Sequence, residues 1–432
     1  MAQGEFSGRA IAAASGAALA FMLSVSSYVN PIFGVFLVPL THEFGWGRLE
    51  ISVTHTFQSW TMAFLFLFTG RLMDRFGVRA ILLPGSALLA LTIASMSLQT
   101  GSIALLYAQY TLVGVCGALG GMVAVAKVVS GWFHHNRGIL LSVMAVCGLA
   151  SSAIVPQFAN FMIEHLGWRQ AYLGLGAFML VIGLPVIALL IREQPTMIAA
   201  RTRQKRQEAH AKFGMTSAEA CRTRAFVLCV AFAALVIITN TAMLAHTIPM
   251  LTDRGIARGT AVTVISLAAL GGACGHLVIG FLLDRVNSPR LAIPFALLAL
   301  CGVLLLHQGS GPLAYLTGGV LMGVGITADF AVIPYFLTRF FGLRAFAQIY
   351  GFLWSAAAIA SGLGPPAMGA IFDWTGSYSW ALVAVEINLL LIVACLALMP
   401  AYRFPARLSA FEETQAEAET QAGRLQPVAG AG

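Results

Sequence analysis

Apolar residues run in long unbroken stretches separated by short polar turns. Twelve stretches stand out, at about 11–40, 50–69, 80–98, 103–131, 138–163, 169–191, 224–250, 259–283, 290–307, 312–338, 346–371 and 379–400. A hydrocarbon layer about 30 Å thick takes roughly 20 residues of helix to cross. The stretches are continuously apolar rather than alternating, which selects helices over the strands of a membrane barrel. The pattern predicts an all-α membrane protein of twelve transmembrane helices.

The pattern also repeats at an offset of 210 residues. Gly70-Arg71-Leu72-Met73-Asp74-Arg75 returns as Gly280-Phe281-Leu282-Leu283-Asp284-Arg285, Pro39 and Gly45 as Pro249 and Gly255, and Ala171 as Ala381. Parallel duplication of this kind builds carriers whose halves rock against each other. It predicts two pseudo-symmetric six-helix bundles, residues 1–191 and 224–400. A charged cytoplasmic linker, 192–223, joins them, and an acidic, disordered tail follows at 401–432.

Composition agrees: 59% of residues are hydrophobic and 10% charged, against roughly 25% charged in a soluble domain. The net charge of +8 could suggest nucleic acid, but its placement argues otherwise. Twenty Lys and Arg fall on the side holding the termini and the 192–223 linker, and four (Arg48, Arg169, Arg254, Arg258) on the other. That bias puts both termini in the cytoplasm, most simply across a bacterial inner membrane, and excludes a nucleic-acid partner. The seven cysteines form no CxxC pair, so neither a disulfide framework nor a metal site is expected. The first stretch is expected to be a retained helix rather than a cleaved signal.

Glycine and proline punctuate the stretches. Gly114, Gly117, Gly120 and Gly121 are spaced for close helix contact. Pro156 is expected to interrupt the fifth stretch, and Gly362 to Pro366 the eleventh. Between the second and third, Gly70 allows a close turn and Asp74 offers a carboxylate to a neighbouring helix N-terminus. Arg75, Arg79 and Arg137 are partners on the same face. With Gly280, Asp284 and Arg285 in the second copy, such a cluster can latch one end of the bundle and release it on rocking.

The run Gly70-x-x-x-Asp74-Arg75-x-Gly77-x-Arg79 resembles the signature loop of the major facilitator superfamily. In its second copy, Asn287 and Pro289 replace the later Gly and Arg. The resemblance implies two six-helix bundles around a cavity that opens to each side in turn. Trp132 to Gly138, Tyr110 to Gly114 and Tyr350-Gly351-Phe352-Leu353-Trp354 narrow the resemblance to the oxalate–formate exchanger and monocarboxylate transporter branch. Two departures qualify it. Drug–proton antiporters commonly have arginine where Tyr110 stands, and the cationic positions with which the exchanger grips a dicarboxylate are here His276 and Ala357. The resemblance therefore implies a monoanion or protonated acid rather than a dianion.

Ionisable groups inside a span cost roughly 2.5–3.5 kcal/mol on insertion scales, so each needs a partner or a task. His276, eight residues before Asp284, can hold a carboxylate when protonated, or can be a neutral ring bonded to a neighbouring helix. Lys127 either snorkels to the surface or anchors an anion. Asp329 is the acidic candidate for proton coupling, alone or with His276, and pairing with Lys127 or Arg339 is its structural alternative. Tyr28, Asn30, Asn240, Tyr350 and Trp354 complete the expected substrate contacts, with Gln58 and Tyr335 shaping the cavity. Glu386 suits structural pairing.

These readings converge on a secondary transporter for a small organic anion, most simply a proton-coupled monocarboxylate symporter that functions as a monomer in the bilayer. Proton-antiport efflux of amphipathic or drug-like compounds is the alternative. No nucleotide-binding loop, cofactor motif, metal cluster or catalytic constellation is present in the sequence, so neither ATP nor enzymatic chemistry is expected.

Overall fold

The computed structural model describes residues 7–133, 137–191, 214–283, 285–327, 329–342 and 344–404, with helices and no strand among them. In the first half, α1 (Gly8–Met22) and α2 (Asn30–Phe44) flank a π-helical turn at Val25–Val29 and bend by 49°. Then come α3 (Arg48–Phe76), α4 (Val78–Ser95), α5 (Ile103–Gly120), α6 (Met122–Trp132), α7 (Arg137–Leu166), α8 (Trp168–Phe178) and α9 (Leu184–Leu190). A short α10 (Ser217–Cys221) leads into the second half. This holds α11 (Arg224–Asp253), α12 (Arg258–Leu283), α13 (Ile293–Gln308), α14 (Pro312–Ile326), α15 (Asp329–Phe341), α16 (Phe346–Ser361), α17 (Gly364–Thr375) and α18 (Ser379–Ala397).

Every expected apolar stretch is helical over the described residues. Nine helices there are long and apolar enough to cross a membrane, or ten if α1 and α2 count as one bent span. The shortfall from twelve has two physical causes. The tenth stretch divides at Thr327 into α14 and α15. α3, though 29 residues long, carries a polar stripe that lowers its hydropathy.

Glycine sets the closest helix contacts. A Cβ on Gly114 would strike the Gln58 carbonyl of α3, and one on Gly323 the Ala268 carbonyl of α12. Backbone thus packs on backbone, as expected where lipid supplies no hydrophobic drive between helices. Gly323→Ala is expected to cost about 1–3 kcal/mol by overpacking. A thermal unfolding midpoint that does not fall would contradict this contact.

Proline acts less uniformly than the sequence suggests. α7 continues through Pro156 without a break, because one missing hydrogen bond is tolerated within 30 helical residues. The eleventh stretch does break at Gly362–Leu363, ahead of Pro365 and Pro366. Residues 192–213 of the linker and 405–432 of the tail lie outside the described residues. Their ends are pinned to α15: Met215 N–H donates to the Phe341 carbonyl, and the N–H groups of Arg403 and Phe404 both donate to the Arg339 carbonyl. Thr216 and Glu219 cap α10 reciprocally, and the Thr216 N–H holds the Glu219 carboxyl below the usual carboxylate range.

Candidate functional site

The polar stripe of α3 follows helical spacing through Arg48, Ser52, Thr56, Ser59 and Trp60, and it faces the second half of the chain. Ser52 Oγ lies 3.1 Å from His246 Nε2, Thr56 donates to the Gly362 carbonyl, Ser59 meets Ser361 at 3.3 Å, and Trp60 donates to the Ile359 carbonyl at 3.1 Å. α7 and α12 make the companion contact, Gln157 to Thr263 and Ser266 and Ser266 to the Ala153 carbonyl. Under the 210-residue repeat, the pairing of the second stretch with the eleventh corresponds to that of the eighth with the fifth.

Proline supplies several acceptors for this seam. Each proline lacks the N–H that would bond the carbonyl four residues earlier. Pro39 leaves the Val35 oxygen, which accepts from Arg258 at 2.5 Å. Pro249, its repeat equivalent, leaves the Ala245 oxygen, against which Gly34 of α2 packs so closely that a Cβ would stand 2.6 Å away. Pro366 leaves the Gly362 oxygen, taken by Thr56 across the seam, while the Ser361 oxygen freed by Pro365 lies 3.2 Å from Thr241 within the second half.

A charged latch closes one end of the seam. Arg48 donates to Tyr378 and to Asp253, each at 2.7 Å, and its guanidinium lies 3.7 Å from the centre of the Phe372 ring. The backbone N–H groups of Arg48 and Leu49, at the start of α3, donate to Asp373 at 3.0 and 2.8 Å. A carboxylate of one half thus caps a helix of the other, where the helix dipole favours negative charge. These residues were not among the sequence candidates, because Arg48 counts there only as a topology charge. The signal was available: Arg48, Asp253 and Asp373 all lie at span ends on the same side.

The sequence candidates are distributed along the bundle. His276, 9% exposed, lies on α12 and reaches the backbone of Thr327 at the α14–α15 break. Asn30 accepts from Gln58 at 2.7 Å, leaving Gln58 Oε1 buried with no partner among the described residues. Asn240 is half-buried on α11, between Thr239, bonded by Asn388, and Thr241. Tyr350 and Trp354 form an aromatic ladder with Phe346 along α16. Tyr28 is turned into the first half, donating to the Leu175 carbonyl at 3.0 Å. Tyr335 donates to the Leu283 carbonyl, and Glu386 pairs with His307 at 2.7 Å.

At the other end of the bundle, Lys127 Nζ donates to the Gly70 carbonyl at 2.8 Å. Arg75, Arg79 and Arg285 are exposed there, Arg285 lying over Phe281 close to Gly280. Asp284 lies outside the described residues, as do the side chains of Asp74, Arg137 and Asp329. A small cleft among Phe232, Val236, Phe295, Val332 and Leu389 is apolar and contains none of the candidates.

Comparison with known proteins completes the picture. The sequence pattern of the Major Facilitator Superfamily matches residues 17–347 and, again, 230–428. Monocarboxylate transporter 11 of Mus musculus is 27% identical over 321 residues, 71% of this chain and 69% of the mouse protein. A Gallate transporter of Pseudomonas putida is 28% identical over 273 residues, 54% of this chain and 60% of that protein. Monocarboxylate transporter 9 of Rattus norvegicus is 31% identical over 152 residues, 33% of this chain and 28% of the rat protein. The chain therefore spans less than two thirds of the gallate and rat proteins.

Proposed function

Because the chain belongs to the Major Facilitator Superfamily of membrane transporters, we propose that it carries a small organic anion, a monocarboxylate, in symport with protons. The two six-helix bundles, 1–191 and 224–400, rock about the seam. Positive charge bias sets the Gly70 end and both termini in the cytoplasm of a bacterial cell, so the conformation with the Arg48 latch made is closed to the outside.

The observation that carries the anion assignment is His276, an imidazole at mid-span beside a broken helix. Protonated, it holds a carboxylate; neutral, it releases one. Asp329 opens α15 two residues beyond Thr327 and shares the coupling role. Asn30, Asn240, Tyr350 and Trp354 supply amide, hydroxyl and ring contacts. Tyr28 acts through the bend between α1 and α2 rather than on the cargo. Lys127 secures the Gly70 loop in this conformation and meets the anion when that loop rearranges. The Gly70, Asp74, Arg75, Arg79, Arg137 set and its second copy at Gly280, Asp284 and Arg285 gate the cytoplasmic end. The monocarboxylate and gallate transporters among the relatives support an anionic cargo.

The test is uptake into proteoliposomes of labelled aliphatic and aromatic monocarboxylates, a dicarboxylate and a lipophilic cation. Monocarboxylate uptake driven by external acid is expected. Accumulation of the dicarboxylate or the cation instead would overturn the assignment.

A further inference from the structure

The latch contains a histidine with no role in the reading above. His246 on α11 is 0% exposed. Its Nδ1 lies 2.8 Å from the Tyr378 hydroxyl, and its Nε2 lies 2.9 Å from the Pro365 carbonyl and 3.1 Å from Ser52 Oγ. We propose that His246 is a proton-binding site governing the Arg48 latch, separate from the groups that meet the cargo.

The hydrogen-bond roles follow from donor and acceptor chemistry. The Pro365 carbonyl can only accept, so Nε2 carries a hydrogen. Arg48 can only donate, and it donates to the Tyr378 oxygen at 2.7 Å. The Tyr378 O–H is then left to donate to Nδ1, which accepts only while the ring is neutral. One proton arrangement satisfies the chain from Arg48 through Tyr378 and His246 to Pro365. A proton on Nδ1 makes two donors converge on the phenol oxygen and leaves the phenol hydrogen without its acceptor, in a site where an unmade bond costs most.

The surrounding charges do not relieve this. Arg48 and His55 on α3 both face His246 as cationic or potentially cationic groups. Both His55 nitrogens are buried with no partner among the described residues. Asp253, on the same helix as His246, is held by Arg48, and Asp373 on α17 is held by the start of α3. From α2, Glu43 is engaged by Trp168 and Arg169 while His42 is exposed, and from α12, Arg258 is on the Val35 carbonyl. The nearby carboxylates are thus committed, and a second positive charge beside Arg48 goes unneutralised. The latch closes on a neutral ring, and a proton that reaches His246 when the seam parts prevents reclosure. Acid therefore opens this end and base closes it.

The experiment is hydrogen exchange of the full chain in nanodiscs without cargo, reading the Arg48 and Leu49 amides that Asp373 protects. After correction for intrinsic rates, protection is expected to fall from pH 7 to pH 5 by at most about tenfold per pH unit, the limit for one linked proton. His246→Gln, whose amide can donate to Pro365 and accept from Tyr378, is expected to stay protected across that range, while His55→Gln keeps the wild-type response. A flat wild-type profile, a persistent response in His246→Gln, or its loss in His55→Gln overturns the proposal. Should His246→Gln fail to fold, Tyr378→Phe removes the hydrogen-bond link between the ring and Arg48 and is expected to weaken the response, leaving only the Arg48 charge to oppose the proton; an undiminished response there is equally fatal. No cargo is present, so the result is independent of the anion assignment.

Discussion

Arg48→Leu is expected to open the latched end by roughly 30- to 150-fold in population. Asp253 is partly solvated, its side chain 34% exposed, so the ion pair is discounted for screening. The charge-assisted bonds to Asp253 and Tyr378 and the stacking on Phe372 together then contribute about 2–3 kcal/mol, which at 1.4 kcal/mol per decade gives that range. Arg48→Lys keeps the charge but not the planar fork, and should fall between. The measurement is impermeant maleimide labelling of a cysteine placed at Ser361, half-buried behind the latch, with the native cysteines replaced by serine. Labelling of Arg48→Leu no faster than of the parent would show that the latch does not hold this end shut.

His276→Ala is expected to weaken carboxylate binding by about ten- to hundredfold, since a hydrogen bond to a charged group contributes about 1.5–3 kcal/mol. His276→Lys carries a fixed charge in place of a titratable one, so it should recover affinity while the dependence of affinity on pH disappears. Equilibrium binding of a labelled monocarboxylate across pH 5 to 8 separates the two. Unchanged affinity and unchanged pH dependence in both variants would remove His276 from the cargo site.

Much of the fold was legible because the bilayer admits few solutions. A long apolar stretch has to satisfy its backbone internally, and every expected stretch is helical over the described residues. The second was the least legible, since Ser52, Thr56, Ser59 and Trp60 read individually as scattered polarity and become a stripe only when a second half lies opposite them. The latch was hidden for the same reason. Arg48, Asp253 and Asp373 are far apart in sequence, and each makes sense alone as a charge at a membrane surface. Tyr28 shows the converse: an aromatic hydroxyl near a proline suggested cargo contact, but a π-helical turn directs it to Leu175. Periodicity does not register such a turn. Glu386 was legible from chemistry alone, because a carboxylate within a span needs a partner, and His307 is that partner.

The carbonyls released by proline make part of the closed form insensitive to mutation at the residues that own them. Any residue at 35 or 362 still presents a main-chain oxygen, so changing those side chains cannot delete the acceptor. Only the proline can. Pro39→Ala would restore an N–H four residues beyond Val35 and return that oxygen to its own helical ladder, in competition with Arg258. A replacement that strengthens the helix it sits in should therefore loosen the grip between the halves, and the carrier would become sturdier segment by segment while resting less firmly shut.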